Sequence, residues 1–350
     1  MSDRREARLI LAVLSGRWDE VDAVAGGVDA SGFVALARAC DVAPTLHAAL
    51  AAAGRLERLP GEAARGLAAA RAKARHDNLL LLARLETALD LLLAASIVPV
   101  ALKGVDTLHR FYASFDERTL DDVDLLVPRE KRDLAIRTLE AAGWAGPSEP
   151  ERTHWLRSSF EMPLVSPGPV GVAFEIHWGL GQARRYRIEA AEILARAVPT
   201  QIAGRALLRL DDHDAVAHLL LHHVQHYFDR RLKWTVEIGR IAASPGFSWT
   251  LVRERLLAWG GLGAAGLALL HVRKLFPGLL PDEAYEAIPA EGWRRAVTLP
   301  LRVSHPLDFY RGTRRRFVQL WIAAAALESP SQLPGYLVHR ATRDARAEEG

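Results

Sequence analysis

Hydrophobic positions recur with two different periods along this chain, and the changes of period divide it. Up to about residue 95 the spacing is helical. Arg5 to Leu14, Gly32 to Cys40 and Pro44 to Ala53 read as short helices separated by Gly and Asp punctuation. A long helix follows from about Pro60 to Ala95, with the proline where a first turn tolerates it. In its second half Leu79, Leu82, Leu85, Leu89 and Leu92 recur at helical spacing, the pattern of a face packed on a core.

Between about 96 and 210, short β-branched runs alternate with helical ones. Ile97 to Leu102 reads as a strand that ends in Lys103-Gly104, and Val105 to Tyr112 as a helix. Leu120 to Val127 is a strand, and Pro128 to Ala142 a helix stopped by Gly143. Trp144 to Leu164 reads as strand and loop, a meander. Val170 to Trp178 is a strand in which Val172, Phe174 and Ile176 alternate with Ala173, Glu175 and His177. From about Asp211 the helical period returns: Asp212 or Asp214 caps a helix reaching Tyr227 or beyond, followed by Arg231 to Ala243. Leu251 to Trp259, Ala264 to Leu275, Gly292 to Leu301 and Arg314 to Leu327 are further helices. Strands alternating with helices in this way indicate a small α/β or α+β core at 96–210 between helical regions at 1–95 and 211–350.

Composition narrows this picture. Half of the 350 residues are apolar and a quarter charged, which is globular, and no internal repeat stands out. The formal net charge is +3 with a pI near 9.2, which permits anionic substrates without the clustered Lys and Arg that a long nucleic acid needs. The single cysteine, Cys40, excludes an intramolecular disulfide and a Cys-rich zinc site and fits a reducing cytoplasm. The apolar helix Asn78 to Ala95 carries Arg84, Glu86 and Asp90 and is too charged to span a bilayer. The early apolar run Leu9 to Leu14 is flanked by acids, unlike a signal peptide. A soluble protein is expected.

The chemistry centres on Asp122 and Asp124. Residues i and i+2 of a strand share a face, so the two carboxylates lie side by side and repel unless a cation or an arginine intervenes. One reading is a pair of strand-edge acids, solvated or salt-bridged to Arg118; the other is a metal site. Glu175, an acid inside an apolar strand, either pairs with a buried Arg or meets the Asp pair across a sheet. Three converging carboxylates suit Mg²⁺. Lys103-Gly104 is either a tight strand-to-helix turn or a phosphate approach backed by a helix N-terminus. Lys103 and Arg118 could neutralise triphosphate oxygens, or Arg118 could balance Asp121 or Asp124. His177 shares a strand face with Glu175, within reach of phosphate or of an outer water. His218, His222 and His226 lie on one helix face, a substrate-facing or core stripe rather than a zinc site, and Trp178 and Trp234 read as core rather than as base-stacking platforms.

Leu102-Lys103-Gly104, then Arg118-x-x-x-Asp122-Val123-Asp124-Leu125-Leu126-Val127, a helix ending in Ala142-Gly143-Trp144, and Phe174-Glu175-Ile176-His177-Trp178 together resemble the uncharacterised nucleotidyltransferase family of the DNA polymerase β-type superfamily. His222-x-x-x-His226 and Leu232-Lys233-Trp234-x-x-Glu237-Ile238 resemble that family's helical region, so the likeness runs from about 97 to 243. It departs from the superfamily at Gly104-Val105, where Gly-Ser or Gly-Gly is usual, and in the longer gap between Gly104 and Asp122. The resemblance implies an α+β fold with a small mixed-sheet polymerase-β-like core that moves a nucleoside monophosphate from an NTP to an acceptor oxygen. By it, Asp122, Asp124 and Glu175 are catalytic and hold Mg²⁺ or Mn²⁺, and Gly104 stands near the triphosphate; with it, the residue chemistry makes Lys103, Arg118 and His177 the expected nucleotide-binding groups. The acceptor would be a small molecule, a peptide or a protein, and no membrane partner is expected. The alternative is a non-catalytic module of the same fold that senses nucleotide or binds a partner.

Overall fold

The computed structural model describes residues 2–181, 185–228, 231–290, 315–327 and 331. By contacts the chain divides into two compact units: one formed by 1–183, 188–216 and 230–247, the other by 184–187, 217–229 and 248–350.

The first unit opens with helices α1 (Ser2–Leu14), α2 (Trp18–Val24), α3 (Ala30–Ala39) and α4 (Ala43–Ala52), then the long α5 (Gly61–Ala94). The expected helices are all present; α2, rich in acids, is an addition. Asp29 starts α3 by accepting from the Gly32 amide, an N-cap that satisfies one of the helix's unpaired donors. On α5 the buried face is Leu81, Leu85, Ala88, Leu89 and Leu92. Leu79, assigned to the stripe from spacing, instead stands 49% exposed.

A six-stranded mixed sheet follows: β1 (Val100–Ala101), β2 (Asp122–Leu126), β3 (Glu161–Val165), β4 (Ala173–His177), β5 (Val198–Ile202) and β6 (Arg205–Arg209), in the order β3-β4-β2-β1-β6-β5. Its helices are α6 (Lys103–Phe111), α7 (Arg132–Ala141), α8 (Glu151–Ser158) and α9 (Ala190–Arg196). Strands β2 and β4 run parallel with Asp124 opposite Glu175, while β1 runs antiparallel to β2. The two edge strands, β3 and β5, each carry a proline (Pro163 and Pro199), which has no N–H to give a neighbour. The expected strand at Ile97 to Leu102 shrinks to two paired residues. The expected meander at Trp144 to Leu164 is in part a helix, α8, and the β5–β6 hairpin was not foreseen.

One face of the sheet is apolar. Val123, Leu125, Phe174, Ile176, Met162 and Leu164 pack with the buried face of α5 and with Ala135, Ile136 and Leu139 of α7. Trp144 meets Phe174 edge-on, ring centroids 5.9 Å apart. Trp178 belongs to this same cluster, and Trp234 is buried as well, in keeping with their reading as core.

Helices α10 (Asp212–Gln225) and α11 (Leu232–Ala242) follow the sheet. The cap of α10 is Asp211, whose carboxylate accepts from the amides of His213 and Asp214 at 2.8 Å, so neither Asp212 nor Asp214 plays that part. In the second unit, α12 (Trp249–Trp259), α13 (Leu262–Leu275), α14 (Asp282–Ala287) and α15 (Arg315–Ala325) are described. Ser248 caps α12, and Gly260 ends it at φ +70°, a left-handed residue suited to glycine. Trp259 and Phe276 are fully buried here. The helix expected at Gly292 to Leu301 lies outside the described residues. No single helix among the described residues is long and apolar enough to cross a membrane.

Candidate active site

The second face of β2 and β4 is polar because the residues between the core positions are acids and a histidine. Asp122 and Asp124 share this face in β2, and the parallel register sets Ala173, Glu175 and His177 beside Asp122, Asp124 and Leu126. Of the two alternatives for Glu175, the register gives the meeting across the sheet: it lies opposite Asp124, while Asp122 lies opposite Ala173 on the same face. The ligand atoms of Asp124, Glu175 and His177 all lie within 4.8 Å of one another. Among the described residues this is the one group of three or more acids and imidazoles that converges in this way. His218 and His222 of α10 and His226 just past its end form no such group: the His222 ring is tilted 4.2 Å from that of His226 and edge-on 5.8 Å from that of His218.

Asp124 is almost wholly buried and has a cationic group on each oxygen. His177 Nε2 lies 2.9 Å from Oδ1, and Lys103 Nζ lies 3.2 Å from Oδ2. The Leu102 amide donates to the Asp124 carbonyl at 3.1 Å, which extends the β1–β2 ladder by one residue and sets Lys103 beside the acid. Burial alone would raise the Asp124 carboxyl, but Lys103 and His177 hold it well below the usual range. Burial likewise opposes the charge on His177, yet its bonds to Asp124 and Glu175 push the imidazole up to about 9. A protonated ring has two donors, and its Nδ1 faces a fourth carboxylate, Glu161 of β3, at 3.5 Å.

The remaining acids carry the strain of the cluster. Asp122 is raised by burial and by the charge of Asp124, and Glu175 by burial and then by Asp124, against the pull of His177. Glu161 is raised by burial, with Glu175 adding to the rise. Glu161 was not picked out from the sequence. The alternation of Glu161, Met162, Pro163 and Leu164 was readable, but nothing local tells which strand it joins. Two carboxylates with converging oxygens and a third on the same face form a donor set that hard divalent cations take, and a hydrogen-bonded histidine behind Asp124 fixes that carboxylate's orientation.

Arg118 does not face the acids. It is buried, with Nε 2.5 Å from Glu237 of α11 and Nη1 donating to the Thr119 carbonyl at 2.7 Å. Its ion pair is thus with Glu237, 119 residues away, rather than with Asp121 or Asp124, and on Asp121 it exerts only a pull weaker than those of Lys233 and Arg231. Gly104 sits over this guanidinium: a Cβ there would stand 2.8 Å from Arg118 Nη1 and 3.0 Å from Leu120 Cδ2. The close approach that demands glycine is therefore to a buried arginine. Asp121 points away from the cluster, as alternation requires, to Lys233 at 2.9 Å and Arg231 at 3.3 Å. Lys233 also pairs with Asp41. From α5, Asn78 donates to the Phe115 and Arg118 carbonyls and accepts from the Leu120 amide, clamping the segment that leads into Asp122. Asn78 gave no sign of this in the sequence.

A family model described as uncharacterised nucleotidyltransferase matches residues 26–277. The match reaches beyond 97–243 into the helices on both sides. No curated protein and no solved structure matches the chain significantly. With the model spanning well over half its length, and with the sheet carrying Asp122, Asp124 and Glu175 on one face, the chain belongs to this uncharacterised nucleotidyltransferase family.

Proposed function

We propose that this chain is a metal-dependent nucleotidyltransferase that moves a nucleoside monophosphate from an NTP to an acceptor oxygen. An acceptor oxygen–phosphorus bond forms at the α-phosphate, the bond to the β-phosphate oxygen breaks, and pyrophosphate leaves. The observation that carries this is the pairing of Asp124 with Glu175 on neighbouring parallel strands, with Asp122 on the same face. Asp122, Asp124 and Glu175 would hold Mg²⁺ or Mn²⁺, which when bound supplies charge stabilisation to the attacking and leaving oxygens.

The chain's own groups have separable parts. His177 holds Asp124 in place by its 2.9 Å bond and keeps its own proton while doing so. Glu175, raised by burial and by Asp124 and less buried than Asp124, is the carboxylate placed to take the acceptor's proton. Lys103, at the start of α6 and 3.2 Å from Asp124, is the flexible cation at the acids and the one to meet a phosphate oxygen. Arg118 acts from below by supporting the Lys103-Gly104 turn rather than by touching phosphate. Positioning and charge are the larger part of phosphoryl-transfer catalysis, and this site is built for both.

The partners that suit the site are an NTP and a small-molecule, peptide or protein acceptor, in a cytoplasmic setting. A net charge of +3 favours these over a long nucleic acid. The test incubates the chain with each α-³²P-labelled NTP, Mg²⁺ or Mn²⁺ and cell extract, and reads the label on acceptors by electrophoresis and mass spectrometry. Label is expected with wild type and is expected to fall at least about a thousandfold with Asp124→Asn, on the order of 4 kcal/mol of barrier. Equal labelling by the two proteins would rule this reaction out.

A further inference from the structure

Asp124 has no oxygen without a cationic partner: His177 takes Oδ1 and Lys103 takes Oδ2. The two partners are not equivalent. His177 is anchored in β4 with Glu161 and Glu175 around it, and its backbone carbonyl accepts from the Val127 amide in the sheet. Lys103 is the first residue of a helix, reaches Asp124 with a flexible side chain, and has a backbone φ of +41°, which L-residues rarely adopt. Its neighbour Gly104 lies on Arg118 and fixes the floor of the turn. A divalent ion ligated by Asp124 would stand at about 2.1 Å from a carboxylate oxygen, hence within a few ångströms of the ammonium, and the two cations would repel.

We propose that Lys103 is a resident counter-ion that competes with the divalent metal for Asp124, and that the triphosphate of the incoming nucleotide draws it away so that metal and nucleotide load together. This rests on the metal-dependent reading above and adds to it an order of events. While the nucleotide is absent, the ammonium neutralises part of the acid cluster and keeps the affinity for free metal low. When polyphosphate arrives, Lys103 exchanges a carboxylate for a phosphate oxygen, and Asp124 is left open to a cation. Lys103 is in this sense the residue that decides when the metal binds.

The discriminating experiment measures two affinities in the full chain. Binding of Mn²⁺ alone is read from the loss of the free-ion electron paramagnetic resonance signal. Binding of an NTP analogue with a methylene α–β bridge, in EDTA, is read by calorimetry. Lys103→Met is expected to bind Mn²⁺ about tenfold more tightly than wild type and the metal-free analogue about tenfold more weakly. Lys103→Gln serves as the second variant should the first fold poorly, and Lys103→Arg, which keeps the charge, is expected to bind Mn²⁺ as weakly as wild type. Shifts of opposite sign separate this role from general damage, which would weaken both ligands. If neither neutral variant gains Mn²⁺ affinity, or if Asp124→Asn leaves Mn²⁺ binding intact, the proposal is overturned. No arm requires turnover. A chain that binds Mn²⁺ as described but transfers no label would refute the reaction, a different result from one that refutes the role of Lys103.

Discussion

The two faces of one pair of strands teach different lessons. On one face of β2 and β4, Val123, Leu125, Phe174 and Ile176 are completely buried against α5 and α7, and each contact supports the next. On the other, one residue along, the charge of Asp124 raises Asp122 and Glu175, and Lys103 and His177 offset the cluster, with Lys233 adding a pull on Asp122. The first face stabilises the sheet. The second is held in an unfavourable state by the first, which is how strained functional groups persist.

That contrast is broken most sharply by substituting one residue on each face. Phe174→Ala leaves a cavity against Trp144 and is expected to cost about 3–5 kcal/mol in urea denaturation. Asp122→Asn is expected to cost nothing at pH 7.5, because it removes a carboxylate that burial and Asp124 already disfavour, while labelling from α-³²P-NTP falls about a thousandfold. A large stability loss in Asp122→Asn would mean that the two faces are not divided in this way. The buried Arg118–Glu237 pair belongs with the supporting face although it is charged. Glu237→Ala strands a guanidinium beneath Gly104 and is expected to cost about 3–5 kcal/mol, read by the same denaturation.

A smaller effect follows pH. The His177 imidazole rises from 6.5 to about 9 in the folded chain. A group raised on folding contributes stability that is fully present below its unfolded value and lost as pH climbs through the folded one. Metal-free protein is therefore expected to lose about 3 kcal/mol of stability between pH 6.5 and 9 on this account, an order-of-magnitude figure from the size of the rise. Urea titrations in EDTA across that range check it, and His177→Gln is expected to flatten the slope. An unchanged slope in the variant would assign the loss to other groups.

What the sequence disclosed and what it hid follow a physical division. The acid face was legible because alternation is a local property: Asp122 and Asp124, and Glu175 and His177, are each two residues apart. The helix after Lys103-Gly104, expected from Val105 and found to begin at Lys103, and the stop at Gly143, with φ +92°, were legible from turn chemistry for the same reason. The β5–β6 hairpin was hidden because β5 is an edge strand with a proline and little burial, so it lacks the apolar run that marks an inner strand. Helix α8 was hidden by its polar face, with no fully buried residue. The partner of Arg118 was out of reach of local reasoning altogether, since nothing near position 118 points to position 237. Glu161 is the intermediate case, visible as an acid in a strand but assigned to the site only by the pairing of β3 with β4.

The finest test of the two-face contrast is Glu175→Gln. Burial and the neighbouring Asp124 charge both disfavour the Glu175 carboxylate, while His177, 3.4 Å away, favours it. The side chain is 31% exposed, so solvent screens much of both effects. The balance predicts a gain of about 0.5–1 kcal/mol at pH 7.5 for the metal-free variant. A loss would show that attraction to His177 exceeds repulsion from Asp124. Saturating Mn²⁺ should then reverse the order of the two proteins, because an ion that binds only the folded wild type stabilises it by mass action, by about 2.7 kcal/mol at a hundredfold excess over Kd. Such a reversal follows only if Glu175 is a ligand: a carboxylate that is merely crowded would gain from substitution with or without the metal.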